Sequence, residues 1–226
     1  LCNHSGHKYL VCQCISTLRT FGFNVKNPSG IIPEGFYIAK KGQTYMKIMI
    51  ASDIHGSASW CRKLLQAWKA ENAVKLLLLG DILYHGPRND LPDTYNPKEV
   101  IAMLNPLRDD LLCVRGNCDT EVDQMVLDFS ILADYAILFA GERTIYATHG
   151  HIYNPDNPPP LPNGSILLNG HTHVPACAEM EKFIYMNPGS VSIPKENSPH
   201  SYMIWEENCF SWKDLSTGDS YMEKVV

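Results

Sequence analysis

The sequence predicts one α/β domain in which two β-sheets pack together and helices flank them. Three observations carry that prediction. An apolar run beginning at Met46 opens a strand, turn, helix, strand pattern; from Tyr135 onward short strands and turns dominate; and 226 residues with 45% apolar content suffice to fill one large core.

In chain order, Met46-Lys47-Ile48-Met49-Ile50-Ala51 is a buried first strand. A helix over 57–71 follows, with Cys61, Leu64, Leu65 and Trp68 on one face. Val74 to Leu79 is a second buried strand, ending in Gly80-Asp81. Beyond a long loop, Asn96-Pro97-Lys98-Glu99 starts another helix: Asn96 caps it, Pro97 takes the first helical position, Glu99 completes a capping box, and Pro106 ends it. Leu111 to Val114 is the third strand, running into Arg115-Gly116-Asn117-Cys118-Asp119 and then a short helix. Strands are predicted near 135–139, 143–148, 165–169, 175–179, 182–186, 201–206, 208–213 and 220–225, separated by turn signals such as Ala140-Gly141, Asn163-Gly164 and Thr217-Gly218-Asp219.

Residues 1–45 show neither sustained helical periodicity nor a clear alternating strand, and Asn27-Pro28-Ser29-Gly30 and Pro33-Glu34-Gly35 are loop signals. Codons for Lys40-Lys41-Gly42 suit a purine-rich ribosome-binding tract, so Met46 is expected to be the initiator and 1–45 a non-native or poorly ordered extension. The alternative is a small segment packed on the 46–226 domain.

Composition excludes several classes. No apolar run approaches the roughly 20 residues that cross a bilayer, and no secretory signal is evident, so a cytoplasmic protein without a membrane partner is expected. Residues 1–45 carry five cationic side chains against Glu34 alone, a net +4, which leaves 14 positive and 23 negative side chains, or −9, for 46–226. That acidic body argues against non-specific nucleic-acid binding. The eight cysteines are irregularly spaced in a chain with ample core and read as reduced thiols. Cys12-Gln13-Cys14, near Cys2, His4 and His7, lacks the usual C-x₂₋₄-C spacing of a zinc site.

Every candidate for chemistry follows a predicted strand: Asp53 and His55 the first, Asp81 the second, Asn117 the third, His149 the strand 143–148, and His171 and His173 the strand 165–169. Strand ends commonly converge in α/β folds. In extended backbone, residues two apart face one side, so each D-x-H or H-x-H pair is expected to deliver two groups to one cluster. Gly56, Gly80, Gly116, Gly150 and Gly170 each lie beside a candidate, where the backbone must approach closely. Taken singly, each group reads as an ordinary turn or loop; jointly they point to a metal centre. Two Asp, one Asn and four His suit manganese, iron, zinc, cobalt or nickel, and seven ligands are too many for one ion. Two divalent ions sharing Asp81 would retain excess positive charge and attract phosphate.

The order D-x-H, G-D, G-N, H-G-H and G-H-T-H resembles the calcineurin-like metallophosphoesterases over nearly all of 46–226. The runs Gly80-Asp81-Ile82-Leu83-Tyr84-His85-Gly86-Pro87-Arg88-Asn89, Arg115-Gly116-Asn117-Cys118-Asp119 and Asn187-Pro188-Gly189-Ser190 look like the small bacterial YfcE-type phosphodiesterases. The resemblance implies a four-layer β-sandwich between helices, with a dinuclear, often manganese-dependent site. It puts Asp53, His55, Asp81 and His173 on one ion and Asp81, Asn117, His149 and His171 on the other. Cys118 stands where the family has a His that protonates the leaving group or helps bind phosphate, so reliance on activated leaving groups or water is expected. The expected reaction is phosphodiester hydrolysis by a metal-bridging hydroxide. Arg88, Asn89 and His151 are candidate contacts to a small phosphodiester. Rival readings are a phosphomonoesterase with the same centre and a non-catalytic scaffold of the same fold; a homo-oligomer is compatible with the sequence.

Overall fold

The computed structural model describes residues 9–11 and 46–226. The expectation for residues 1–45, including Cys2, His4, His7, Cys12 and Cys14, otherwise lies outside the described residues. Its elements are β1 (Tyr9–Val11), β2 (Ile48–Ala51), α1 (Ala58–Glu71), β3 (Lys75–Leu78), α2 (Pro97–Leu104), β4 (Leu111–Cys113), α3 (Glu121–Gln124), β5 (Tyr135–Ala140), β6 (Arg143–Ala147), β7 (Ser165–Leu168), β8 (Pro175–Glu179), β9 (Phe183–Pro188), β10 (Ser201–Glu206), β11 (Cys209–Asp214) and β12 (Ser220–Val225). Each predicted element is present. β1, which no sequence signal marks, pairs in parallel with β5.

Two six-stranded mixed sheets form, ordered β12-β11-β10-β2-β3-β4 and β1-β5-β6-β7-β9-β8. β2, β3 and β4 are mutually parallel, and so are β6, β7 and β9. Parallel pairing gathers the carboxyl ends of each set at one edge of its sheet.

Alternation along β2 explains why its whole run is apolar. Ile48 and Ile50 enter the core between the sheets, with Ile145, Ile166, Leu168 and Trp212 among its members. Met49 and Ala51 face the other way, into a core closed by Leu64 and Trp68 of α1 and Val100 and Leu104 of α2. The helical cover belongs to this sheet. The outer apolar face of the second sheet is packed instead by Tyr153 and Leu161 of a loop over Tyr146, Leu167 and Phe183.

Local signals act largely as read. The Ser57 side chain caps α1 through Trp60 N–H, and Asn72 ends it in left-handed backbone. At α2 the capping box is incomplete. Asn96 accepts from Glu99 N–H at 3.3 Å, but Glu99 returns to the Asn96 side chain, because Asn96 N–H is already held by the Gly56 carbonyl at 2.8 Å. Pro106 likewise does not stop the chain's turning; a 3₁₀ segment continues over Asn105–Asp110. The complete box belongs to α3, between Thr120 and Asp123.

Trp212 is fully buried between the sheets, and its indole N–H donates to the Asn187 carbonyl at 2.6 Å. Trp212→Ala should therefore lower unfolding free energy by about 3–5 kcal/mol, measured by urea denaturation.

Candidate metal centre

All seven residues picked out at strand ends meet at one place, where loops from both sheets converge. Asp53 Oδ1 lies 3.2 Å from His173 Nε2 and 3.5 Å from His55 Nε2. Asp81 Oδ2 lies 3.6 Å from His55 Nε2 and 3.4 Å from His149 Nε2. His149 Nε2 is in turn 3.0 Å from Asn117 Oδ1 and 3.2 Å from His171 Nδ1. Asp53, His55, Asp81, His149 and His173 are buried.

The two-apart geometry expected from extended backbone is not how the pairs arrive. Asp53, His55, Asp81, His171 and His173 all have φ between 48° and 67°, in the left-handed region. Alternation ends with the strands; past them, tight left-handed turns aim the side chains. Such backbone costs a non-glycine residue on the order of 1–2 kcal/mol, least for Asp, Asn and His, and persists where surroundings enforce it.

The surroundings here are the loops themselves, laced by backbone hydrogen bonds. His55 N–H donates to Asp81 O at 2.9 Å, Asp53 N–H to Gly80 O at 3.1 Å, and Gly170 N–H to His149 O at 2.8 Å. Close approach explains two glycines whose φ is not positive. A Cβ on Gly116 would collide with the Asp81 carboxylate and amide, and one on Gly170 with the Ser52 hydroxyl.

Three imidazoles are oriented from behind. The Nδ1 atoms of His55, His149 and His173 bond the carbonyls of Tyr84, Leu79 and Ile193 at 2.7, 2.6 and 2.6 Å. Each Nδ1–H donates, which leaves Nε2 facing the cluster, the posture of a metal-ligating histidine. Asp53 Oδ1 is buried without a hydrogen-bond partner among the described residues, although three imidazoles crowd the two carboxylates. Neutral imidazoles would turn lone pairs toward that oxygen, so the cluster needs cations or added protons to balance it.

Electrostatics without a metal follow the same logic. Burial raises the Asp53 carboxyl, but the imidazoles of His173 and His55 facing it outweigh that and hold the group well below the ordinary value. Asp81 is lowered likewise by His149 against its own burial. Burial opposes charge on His149, yet Asp81 and Asp53 lift it to about 9. Partial burial and then the neighbouring His149 and His171 push His151 down to about 4.

The candidate substrate contacts are less concentrated. Asn89 spends its side-chain N–H on the His85 carbonyl at 2.8 Å. Arg88 is exposed and has no hydrogen bond or ion pair among the described residues. His151 is exposed, its ring centroid 5.5 Å from that of His149. Cys118 is buried beside the cluster: its N–H donates to Asp81 Oδ1 at 2.8 Å, and its Sγ joins His55 and Asp81 in a group of ligand atoms within 4.8 Å of one another. Burial and Asp81 drive its thiol far up, so it stays protonated.

Four residues brace the cluster; Asn187-Pro188-Gly189-Ser190 reads in the sequence as a tight turn supporting the histidine pair, whereas Asp119 and Ser192 carry no such signal. Buried Asp119 accepts from the backbone N–H groups of Asp81, Ile82 and Gly116 at 2.8, 2.9 and 2.7 Å, joining the loops after β3 and β4. Ser190 and Ser192 donate to the Asp53 carbonyl at 3.0 and 3.1 Å. Asn187 donates to the Gly170 carbonyl at 2.7 Å and holds the histidine loop. The partners of Asp119 and Ser192 are backbone atoms, which carry no residue-type signal.

Residues 46–208 match the model of the calcineurin-like phosphoesterase superfamily domain. The chain is 43% identical over 166 residues to a protein named phosphodiesterase YfcE of Escherichia coli K12, covering 74% of this chain and 90% of that one. A solved structure of YfcE, described as a phosphoesterase from E. coli, superposes with a TM-score of 0.78 at 40% identity, over 80% of this chain and all of that one. A vacuolar protein sorting 29 structure from Cryptosporidium parvum shares the fold alone, with a TM-score of 0.51 and 19% identity over 80% of this chain and 99% of its own.

Two outcomes are expected. His149 is raised above its ordinary 6.5, so the metal-free protein carries its proton at neutral pH, and a metal ion must displace it. Metal uptake should release protons below about pH 9 and tighten as pH rises toward that value; calorimetry in buffers of different ionisation enthalpy reads the release. Asp119→Ala should strand buried N–H donors and cost at least about 2 kcal/mol in denaturant unfolding.

Proposed function

This chain belongs to the calcineurin-like phosphoesterase superfamily, and from that membership we propose that it is a phosphodiesterase working with two divalent metal ions. The observation that carries the proposal is the buried, unpartnered Asp53 Oδ1 at the centre of converging imidazoles. The phosphodiesterase name of its E. coli relative, at 43% identity, supports a diester as substrate.

Asp53, His55, Asp81 and His173 would hold one ion, and Asp81, Asn117, His149 and His171 the other, with Asp81 shared. The mixture of carboxylate, amide oxygen and imidazole favours manganese, with iron, zinc, cobalt and nickel also compatible. When bound, such a pair would supply a hydroxide nucleophile for attack on phosphorus and would offset charge on the phosphoryl oxygens.

The chain's own residues then orient and hold. The carbonyls of Tyr84, Leu79 and Ile193 keep three imidazoles in one tautomer, so no reorganisation is needed when substrate arrives. Arg88, Asn89 and His151 are assigned to substrate contact; the Arg88 guanidinium matches phosphate geometry. Cys118, held as a thiol, donates no proton at neutral pH, so the leaving group depends on its own stability or on solvent for protonation. A small diester is the proposed partner rather than nucleic acid, because the body is acidic. The cytoplasm is the proposed compartment, in keeping with free thiols at all five described cysteines.

Assays of bis-p-nitrophenyl phosphate and p-nitrophenyl phosphate with added Mn²⁺ test the reading. Diester cleavage that chelator abolishes is expected; cleavage of the monoester alone would make the protein a phosphomonoesterase, and cleavage of neither a scaffold. Asp81→Asn or His149→Ala should lower kcat at least roughly a hundredfold with the fold intact, while Cys118→Ser changes it modestly. Full activity in Asp81→Asn would overturn the shared-ligand role.

A further inference from the structure

A cavity of about 380 Å³ opens beside the metal cluster, and Cys118 forms part of its wall. Tyr84, whose carbonyl orients His55, lines it too, so this space touches the cluster through two residues. The remaining wall is mainly apolar, drawn from Tyr95, Ile101, Val122 and Val126. Tyr84, Val122 and Val126 stay 41%, 68% and 44% exposed, an apolar surface left open to water at the mouth of a candidate active site.

Two polar side chains in the wall, Thr120 and Asp123, are paired with each other. Asp123 accepts from the Thr120 N–H and hydroxyl, both at 2.8 Å, and Asp123 N–H returns to the Thr120 hydroxyl at 3.4 Å. Among the described residues, no lysine or arginine lines the cavity. A second phosphate would find no cation among these residues and would face the Asp123 carboxylate. The volume exceeds twice the roughly 150 Å³ that accommodates benzene in an apolar cavity.

We infer that this cavity binds one ester substituent of the substrate, and that the substituent is uncharged and apolar, an aromatic ring or a branched hydrocarbon of similar bulk. The inference rests on the phosphodiesterase reading and narrows its substrate class. The Cys118 side chain has a part in it, since this one small residue stands both against the cluster and in the cavity wall. Tyr84, Ile101 and Val122 are the specificity-determining residues.

The test has two arms. In the first, Mn²⁺-loaded protein is assayed on p-nitrophenyl phosphodiesters whose second substituent is methyl, phenyl, naphthyl or a nucleoside. Phenyl and naphthyl should raise kcat/KM tenfold or more over methyl, and the nucleoside should not. Val122→Asp and, separately, Val126→Asp, both at exposed positions, should collapse the phenyl-to-methyl ratio toward one. Turnover with equal efficiency for methyl and phenyl, preference for the nucleoside, or an unchanged ratio in both variants would overturn the inference while leaving the diesterase reading standing. No turnover of any diester would sink that reading and this one with it. In the second arm, metal-free protein is titrated with benzyl alcohol while ¹⁵N amide resonances are followed. Shifts concentrated at Cys118, Val122 and Val126 are expected. Absence of shifts there, or a change of mass by sedimentation in Val122→Asp, would assign the cavity to an interface between copies and overturn the substrate role.

Discussion

Two carboxylates withdrawn from water govern this molecule. Asp53 is fully buried and Asp81 nearly so, and neither forms an ion pair with a lysine or arginine among the described residues. An ionised carboxylate in that position is tolerable only with compensating positive charge close by. Four imidazoles provide it when protonated, and cations provide it when the imidazoles are neutral. The loops, the glycines and the carbonyls behind the histidine rings are all arranged around that requirement.

The arrangement is stiff because each loop is braced by another. Asp53 is tied to the loop after β3 through Gly80 and to the 190–192 turn through Ser190 and Ser192. Asp81 is tied to the loop after β4 through Asp119 and Cys118. Asn187 joins the histidine loop to Trp212 in the core between the sheets. Strain in five left-handed residues is thus borne by hydrogen bonds from elements far apart in sequence.

Much of this was legible in the chain. The strands could be placed because both faces of β2 and β3 are buried, so their apolar runs are continuous, and because turn residues separate the strands of the second half. The seven clustered residues could be picked out because each follows a strand end. What stayed hidden depends on partners rather than residue types. Nothing local says that Asn96 N–H is taken by Gly56, which leaves the capping box incomplete. Nothing local says that Asp119 reaches back to Asp81 and Ile82, or that the D-x-H and H-x-H pairs arrive on left-handed turns instead of extended strand. The apolar cavity was invisible for the same reason, since its walls come from the loop after β3, α2 and α3.

The left-handed turns also limit how the centre could be rebuilt. At Asp53, His55, Asp81, His171 and His173 the backbone itself accepts only a short alphabet, chiefly glycine, asparagine, aspartate and histidine. A designer wishing to retune the chemistry with glutamate, threonine or a β-branched residue would disturb chain geometry before touching reactivity. Engineering routes therefore run through neighbouring positions outside the left-handed region, such as Cys118, where side-chain identity can change without breaking the turn.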